Sequence, residues 1–325
     1  MLYNNNFISR LDKFFAEYYV RLWGERTGCL SAFLFHGLFR DQKECRNEIV
    51  DIQQCITVKH FEAFIEYFLD QGYLFVGQND ILKGLDPQKN HVLITFDDGY
   101  YNNTYAVDIL KKFQVPAIFF ISTSYILEQK AFWWDVIARE RGKQGASREK
   151  ISREQNFLKT KKSAELENYL IDQFGPNALK TIGDVDRPLT VAELKNLSRQ
   201  PFVEIGNHTS GHAILTNYSY DAAKDEMRQA QNHLQEITGS RPIAVAYPNG
   251  NFSDEIIAAA QDVGFKIGIT TLEGKNYLPL PNGELFCLKR FTLWGDGRFV
   301  GECDRTRSDF QLKSSLKELL GKVKK

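Results

Sequence analysis

"HVLITFDDGYYNNTYAVDILKKFQVPAIFFIS", residues His91 to Ser122, reads as an apolar strand, a helix and a second apolar strand. The first strand runs through Val92, Leu93 and Ile94 and ends on two adjacent carboxylates, Asp97 and Asp98, with Gly99 behind them. Like charges repel, and ionised groups are costly to desolvate. Two acids at the end of a buried strand therefore need a reason. They could simply cap the helix that begins near Tyr101.

Outward from this unit the alternation continues. Upstream, "CLSAFLFHGLF" is a strand ending at His36, and "TVKHFEAFIEYFLDQGYLF" is a helix with Thr57 as N-cap, leading past Gly72 into a short strand. Downstream, "VAELKNLSR", "FVEIGNH", "YDAAKDEMRQAQNHLQEITG", "IAVAYPNG", "SDEIIAAAQDVG" and "FKIGITT" alternate helix and strand. Repeated β-then-α units predict an α/β fold with a parallel sheet or barrel. Residues 124–187 break the rhythm, because "REKISREQNFLKTKKSAELENYLIDQFG" is charged, helical and carries only a thin apolar stripe. The expected organisation is an N-terminal amphipathic helix (1–29), a body (30–300) interrupted by a helical insertion (124–187), and a basic amphipathic helix (301–325).

Of 325 residues, 43% are hydrophobic and 25% charged, which suits an ordinary globular chain. Lys plus Arg balances Asp plus Glu at 41 each, so no global field points to nucleic acid. The five cysteines, Cys29, Cys45, Cys55, Cys287 and Cys303, show no metal-site or framework spacing and are expected to be reduced. With neither a signal segment nor an apolar stretch of membrane-spanning length in view, the expected compartment is the cytoplasm.

Four polar clusters fall at strand ends, where parallel α/β folds gather their chemistry: His36, Asp97–Asp98, His208 to His212, and Tyr247 to Gly250. "NHTSGH" sets His208 and His212 four apart, and either a helix or a curled loop lets both rings reach one point. One Asp plus two His gives three protein ligands and leaves coordination positions open, the layout of a catalytic metal. The other Asp, kept off the metal, can then take a proton from bound water. A metal-dependent glycosyltransferase could also use paired acids, but no glycine-rich phosphate loop is evident.

"TFDDGY", "HTSGH" and "AYPNG", with the spacing between them, resemble the NodB-homology polysaccharide deacetylases, carbohydrate esterase family four. The resemblance runs from about Leu30 to Leu293 apart from the insertion. It implies a distorted (β/α) barrel and metal-dependent hydrolysis of an N-acetyl group on an amino sugar. It implies Asp97 as general base, Asp98, His208 and His212 as ligands of a divalent metal, Zn²⁺ first with Co²⁺ or Ni²⁺ as alternatives, and the Tyr247 backbone N–H as oxyanion donor. Tyr247, Pro248 and Asn249 are expected to line the substrate.

The chain departs from the family where relatives carry a steadying arginine in the third motif and a proton-donating histidine in a late one. Here "LKRFTLW" puts Arg290 at the histidine's place. A cation at any ordinary pH, Arg290 is expected to pair with Asp97 in place of the missing arginine, with Arg241 as the competing candidate. His36, in "FLFHG", resembles the Tyr-His strand end of many relatives, whereas His60, His91 and His233 read as ordinary structural histidines. "FWWD" offers Trp134 as a sugar platform and Asp135 as a hydroxyl ligand or the missing acid, although the same residues could anchor the insertion. Trp294 carries the same two readings. The basic stretches Arg139 to Lys162 and Lys313 to Lys325 read as solvated faces, or as contacts for a phosphate or a membrane surface. The expected partner is an N-acetylated amino sugar, lipid-linked or nucleotide-linked, with a formylated sugar or a catalytically silent carbohydrate-binding role as alternatives.

Overall fold

The computed structural model describes residues 18–309 apart from 21, 47, 282 and 296–298. The predicted helix over residues 1–29 and the basic tail beyond 309 lie largely outside the described residues.

Strand β1 (Cys29–Phe35) pairs in parallel with β3 (Asn90–Phe96), which also holds the two-residue β2 (Leu74–Phe75). The sheet continues through β4 (Ala117–Ile121), β5 (Val203–Asn207), β6 (Ala244–Ala246) and β7 (Ile267–Ile269), all parallel. On the other side of β1 lie the antiparallel β8 (Asn276–Tyr277) and the parallel β9 (Arg290–Thr292). Leu288, just ahead of β9, bridges to Ile269 of β7, so the sheet curls into a nearly closed barrel. This is the distorted (β/α) barrel that the sequence implies.

The strands are apolar on both faces because one face lines the barrel interior and the other receives helices. Helix α1 (Val58–Asp70) begins at Thr57, whose hydroxyl accepts the His60 N–H. It buries Phe61, Phe64, Ile65 and Phe68 against Phe33 and Phe35 of β1. Helix α2 (Val107–Phe113) follows β3, as predicted.

The insertion forms three helices, α3 (Trp133–Lys143), α4 (Arg148–Leu158) and α5 (Ser163–Phe174), which share a separate small core of Phe132, Trp133, Ile137, Ile151, Leu158, Leu166 and Leu170. Its neck is closed where Ala131 N–H donates to Leu179 O. Beyond it come α6 (Tyr220–Thr238) and α7 (Asp254–Val263). Helix α8 (Phe299–Arg307) crosses the expected boundary at residue 300: Phe299 and Cys303 join the core cluster of α1, so the body extends past that boundary.

The expectation of five reduced cysteines is corrected, because Cys45 and Cys55 form a disulfide. Two cysteines ten residues apart, one ending the short helix Gln42–Cys45 and one in the following loop, carry no recognisable spacing, and only the path of the 40–57 segment brings them together. Among the described residues, no helix is long and apolar enough to cross a membrane.

Candidate functional site

The two acids share one cavity because the strand stops between them. Phe96 is the last residue of β3, and Asp97 N–H still donates to Phe35 O. Asp98 and Gly99 then adopt left-handed backbone, with φ of 74° and 91°, so consecutive side chains no longer alternate. Three of the other non-glycine residues with left-handed backbone, Thr209, His212 and Asn249, also follow neighbouring strand ends. The "HTSGH" segment is a loop, as its composition suggests: Asn207 Oδ1 accepts Thr209 N–H, Thr209 Oγ1 accepts Ala213 N–H, and Glu226 accepts Gly211 N–H.

That loop turns both imidazoles onto Asp98. His208 Nε2 lies 3.4 Å and His212 Nε2 3.3 Å from Asp98 Oδ1, and one ligand atom from each of the three residues falls within 4.8 Å of the others. Neither pair is aligned as a hydrogen bond, so both buried oxygens of Asp98 lack a hydrogen-bond partner. A buried carboxylate left in that state is unfavourable unless a cation meets it. His208 Nδ1 is 2.8 Å from Ala246 O, which can only accept. The proton therefore sits on Nδ1 and the Nε2 lone pair is free for a ligand role. Burial pushes the Asp98 carboxyl up, but the two imidazoles pull it well below the usual carboxylate range. The set fits a divalent cation.

Asp97 is held differently. Arg290, on β9 opposite Ala32, reaches across the barrel interior and donates from Nη1 and Nη2 to the two Asp97 oxygens, each at 2.8 Å. Nη1 also meets Thr95 Oγ1 and Nε donates to Thr270 O, so the guanidinium is fixed in a plane. Burial raises the Asp97 carboxyl, yet the guanidinium and then His208 bring it below its ordinary value. Arg290 thus takes the predicted place of the absent arginine, whereas Arg241 is exposed and reaches only Val263 O.

The cavity around these groups measures about 390 Å³, within the range of small-molecule sites at ~300–1,000 Å³. His36 lines it, as do Trp134, Asn249 and Trp294. Gln54, which no sequence signal marked, seats His36. Gln54 Nε2 donates to Leu34 O and Leu293 O, so its other end must be the amide oxygen, which accepts from His36 N–H and lies 2.8 Å from Nδ1. His36 Nδ1 therefore carries a proton.

Two expected roles are corrected. The Tyr247 N–H donates to Ile269 O in the sheet, and its hydroxyl donates to Phe286 O deep in the core. Tyr247 and Pro248 are buried and do not line the cavity. Two residues on, Asn249 turns through φ 58° at the rim, and its N–H finds no acceptor among the described residues. The Asn-Gly pair was the available signal, since it marks a left-handed turn; a Cβ on Gly250 would strike Thr271 Oγ1. Asp135 is also displaced from its expected role. It is fully buried beneath the cavity, where it accepts Asp51 N–H at 2.7 Å and the Tyr100 hydroxyl at 2.8 Å. Trp134 is both anchor and wall: its Nε1 donates to Tyr100 Oη, and its ring lies 4.6 Å from that of His212. Trp294, 47% exposed, stands at the mouth.

Comparison with known proteins agrees with the fold. The structure resembles the Streptococcus pyogenes deacetylase PplD, solved with acetate, at a TM-score of 0.59 and 18% identity over 86% of this chain and 99% of that one. IcaB from Ammonifex degensii gives 0.57 and 15% over 86% and 98%. Among curated sequences, YxkH of Bacillus subtilis is 22% identical over 224 residues, 67% of this chain and 60% of that protein. A 30.6 kDa protein of Geobacillus stearothermophilus is 23% identical over 184 residues, 56% and 46% respectively. The chain thus spans about half the length of the curated relatives it matches. The profile of polysaccharide deacetylases matches residues 84–268, more than half of the chain and the segment that carries Asp97, Asp98, His208, His212 and Asn249, and the chain therefore belongs to the polysaccharide deacetylase family.

Proposed function

We propose that this chain is a metal-dependent N-deacetylase that hydrolyses the acetamido group of an amino sugar in a glycan or glycan precursor. One observation carries the reading: beside a His-His-Asp set with an orphaned carboxylate stands a second carboxylate that an arginine holds off that set. Held by Asp98, His208 and His212, a divalent cation, Zn²⁺ by donor preference with Co²⁺ or Ni²⁺ as alternatives, would supply a water of lowered pKa and polarise the acetyl carbonyl.

The chain's own residues divide the remaining work. Asp97, kept ionised and oriented by Arg290, is the base that takes the proton of the attacking water. The Asn249 N–H, unpartnered at the rim, is the donor for the developing oxyanion in place of Tyr247. His36 is the group that protonates the leaving amine. With Nδ1 committed to Gln54, its Nε2 is the nitrogen that carries the transferable proton in the imidazolium form. Trp134 and Trp294 offer apolar faces to the sugar.

The compartment is a separate matter. The cytoplasmic expectation rests on the lack of a visible signal segment or membrane-spanning stretch, and the Cys45–Cys55 disulfide weighs against it, since such bonds persist in oxidising compartments.

The test is acetate release from N-acetylglucosamine oligomers by chelator-stripped protein resupplied with Zn²⁺, Co²⁺ or Ni²⁺. Activity restored by metal is the expected result. Saccharide binding without acetate in any metal would overturn the proposal in favour of a catalytically silent carbohydrate-binding protein. Formate from N-formyl sugars without acetate from their acetyl counterparts would make it a deformylase.

A further inference from the structure

The insertion is rich in cations, and most of them are paired with nearby acids. Arg139 is buried and bonds Asp186, Arg141 is bidentate to Glu154, Lys143 meets Glu140, and Arg148 donates to Asp51. Lys159, at the C-terminal end of α4, differs. Its side chain lines the catalytic cavity, and among the described residues its ammonium has neither an ion-pair nor a hydrogen-bond partner. Asp51 is the anion whose charge it feels, but both Asp51 oxygens are taken, Oδ1 by Arg148 at 3.0 Å and Oδ2 by Gln155 at 2.9 Å.

A lysine at a helix C-terminus is often explained by the helix dipole alone, its ammonium free in solvent. Here burial holds the ammonium below its usual range. The turn that carries it is also pinned from the barrel side: Asn217, on the loop after His212, donates from Nδ2 to the carbonyls of Lys159 and Lys161. Partly desolvating a cation with no counter-ion is unfavourable, and an incoming anionic oxygen would offset that cost. The acids of the cavity do not do so: Asp97 is committed to Arg290, Asp98 belongs to the set that would hold the metal, and neither forms an ion pair with Lys159 among the described residues.

We infer that the saccharide this site takes carries an anionic group, a carboxylate or a phosphate, and that Lys159 Nζ pairs with it while the acetamido group lies at Asp97 and Asp98. The inference rests on the deacetylase reading for the identity of the cavity's ligand, and it names the charge class of that ligand.

Equilibrium binding to the full chain separates the two ideas. Three probes share a disaccharide frame: N,N′-diacetylchitobiose (neutral), its 1-phosphate, and N-acetylglucosaminyl-N-acetylmuramic acid (a carboxylate). One anionic probe is expected to bind wild type about tenfold more tightly than the neutral one, the size of one favourable, partly desolvated ion pair. Which anion it is identifies the source of the charge. Lys159→Met should erase most of that preference and Lys159→Arg should retain it. Equal binding of all three probes to wild type, or an unchanged preference in Lys159→Met, overturns the inference. Acetate release from the same probes reports on the deacetylase reading alone. Charge preference without acetate sinks that reading and leaves Lys159 standing, whereas acetate without charge preference does the reverse.

Discussion

The cavity has two walls of different origin. One is the barrel rim, where the ends of β1, β3, β5 and β6 supply His36, Asp97, Asp98, His208, His212 and Asn249. The other is the helical insertion, which supplies Trp133, Trp134, Gln155 and Lys159. On the rim, polar groups are held by backbone geometry fixed in the sheet: left-handed residues at strand ends, a ring nitrogen on a sheet carbonyl, a guanidinium reaching across the barrel. On the insertion wall, side chains depend on one another: Trp134 on Tyr100, Tyr100 on Asp135, Asp135 on the Asp51 backbone. The difference suggests that the rim carries the reaction, while the insertion shapes what may approach it.

The largest effect should come from the rim. Asp97→Asn is expected to cut acetate release by about 10²–10⁴-fold, the usual worth of a general base, while metal content stays at the wild-type level. His208→Ala removes a ligand and should lose both metal and turnover. Metal analysis beside an acetate assay tells the two apart. Full activity with equal metal in both variants would erase the distinction between base and ligand set.

A smaller effect is expected one layer behind. Lysine is a point charge and cannot reproduce the two parallel hydrogen bonds from Arg290 to Asp97. Arg290→Lys should lower kcat by about tenfold to a hundredfold through misplacement of the base, with metal content unchanged. An unaltered rate would leave the arginine as scaffold only.

The two walls also differ in how far the sequence reveals them. The fold was legible because apolar runs and amphipathic stretches alternate, and the metal set because one acid pair and one histidine pair fall at strand ends. Arg290 was legible because it stands where the late motif of the family carries a histidine, while the third motif lacks its arginine. That the Tyr247 N–H is spent in the sheet was not legible, because sequence does not say which N–H of a strand end the ladder has already used. Gln54 and Lys159 act through distant partners, with Gln54 meeting Leu293 across the fold and Lys159 held by Asn217, and no local spacing encodes such contacts. Asp135 looked like a candidate acid because burial depends on packing around it, which composition does not express.

Asp135 therefore gives the smallest expected effect and the sharpest contrast with Asp97. Burial lifts its carboxyl well above the ordinary range, with the nearby charges of Asp51 and Asp186 adding to the rise, while the Asp51 N–H and the Tyr100 hydroxyl oppose it. In the folded chain the group therefore keeps its proton to higher pH than in the unfolded chain, whose value is about 3.9. Its contribution to stability is present below that value and is lost as pH rises toward the folded value. Asparagine cannot ionise, and it can still accept the Asp51 N–H, although the bond from the Tyr100 hydroxyl must then reverse, with the amide as donor. Asp135→Asn should therefore leave acetate release within about threefold of wild type. The variant should also melt later than wild type near neutral pH, with the gap closing as the pH is lowered toward the unfolded-chain value of about 4. Thermal melts across that range, paired with the acetate assay, measure both quantities. A loss of about 10²-fold or more in turnover without a change in stability would return Asp135 to the reaction and dissolve the division between the two walls.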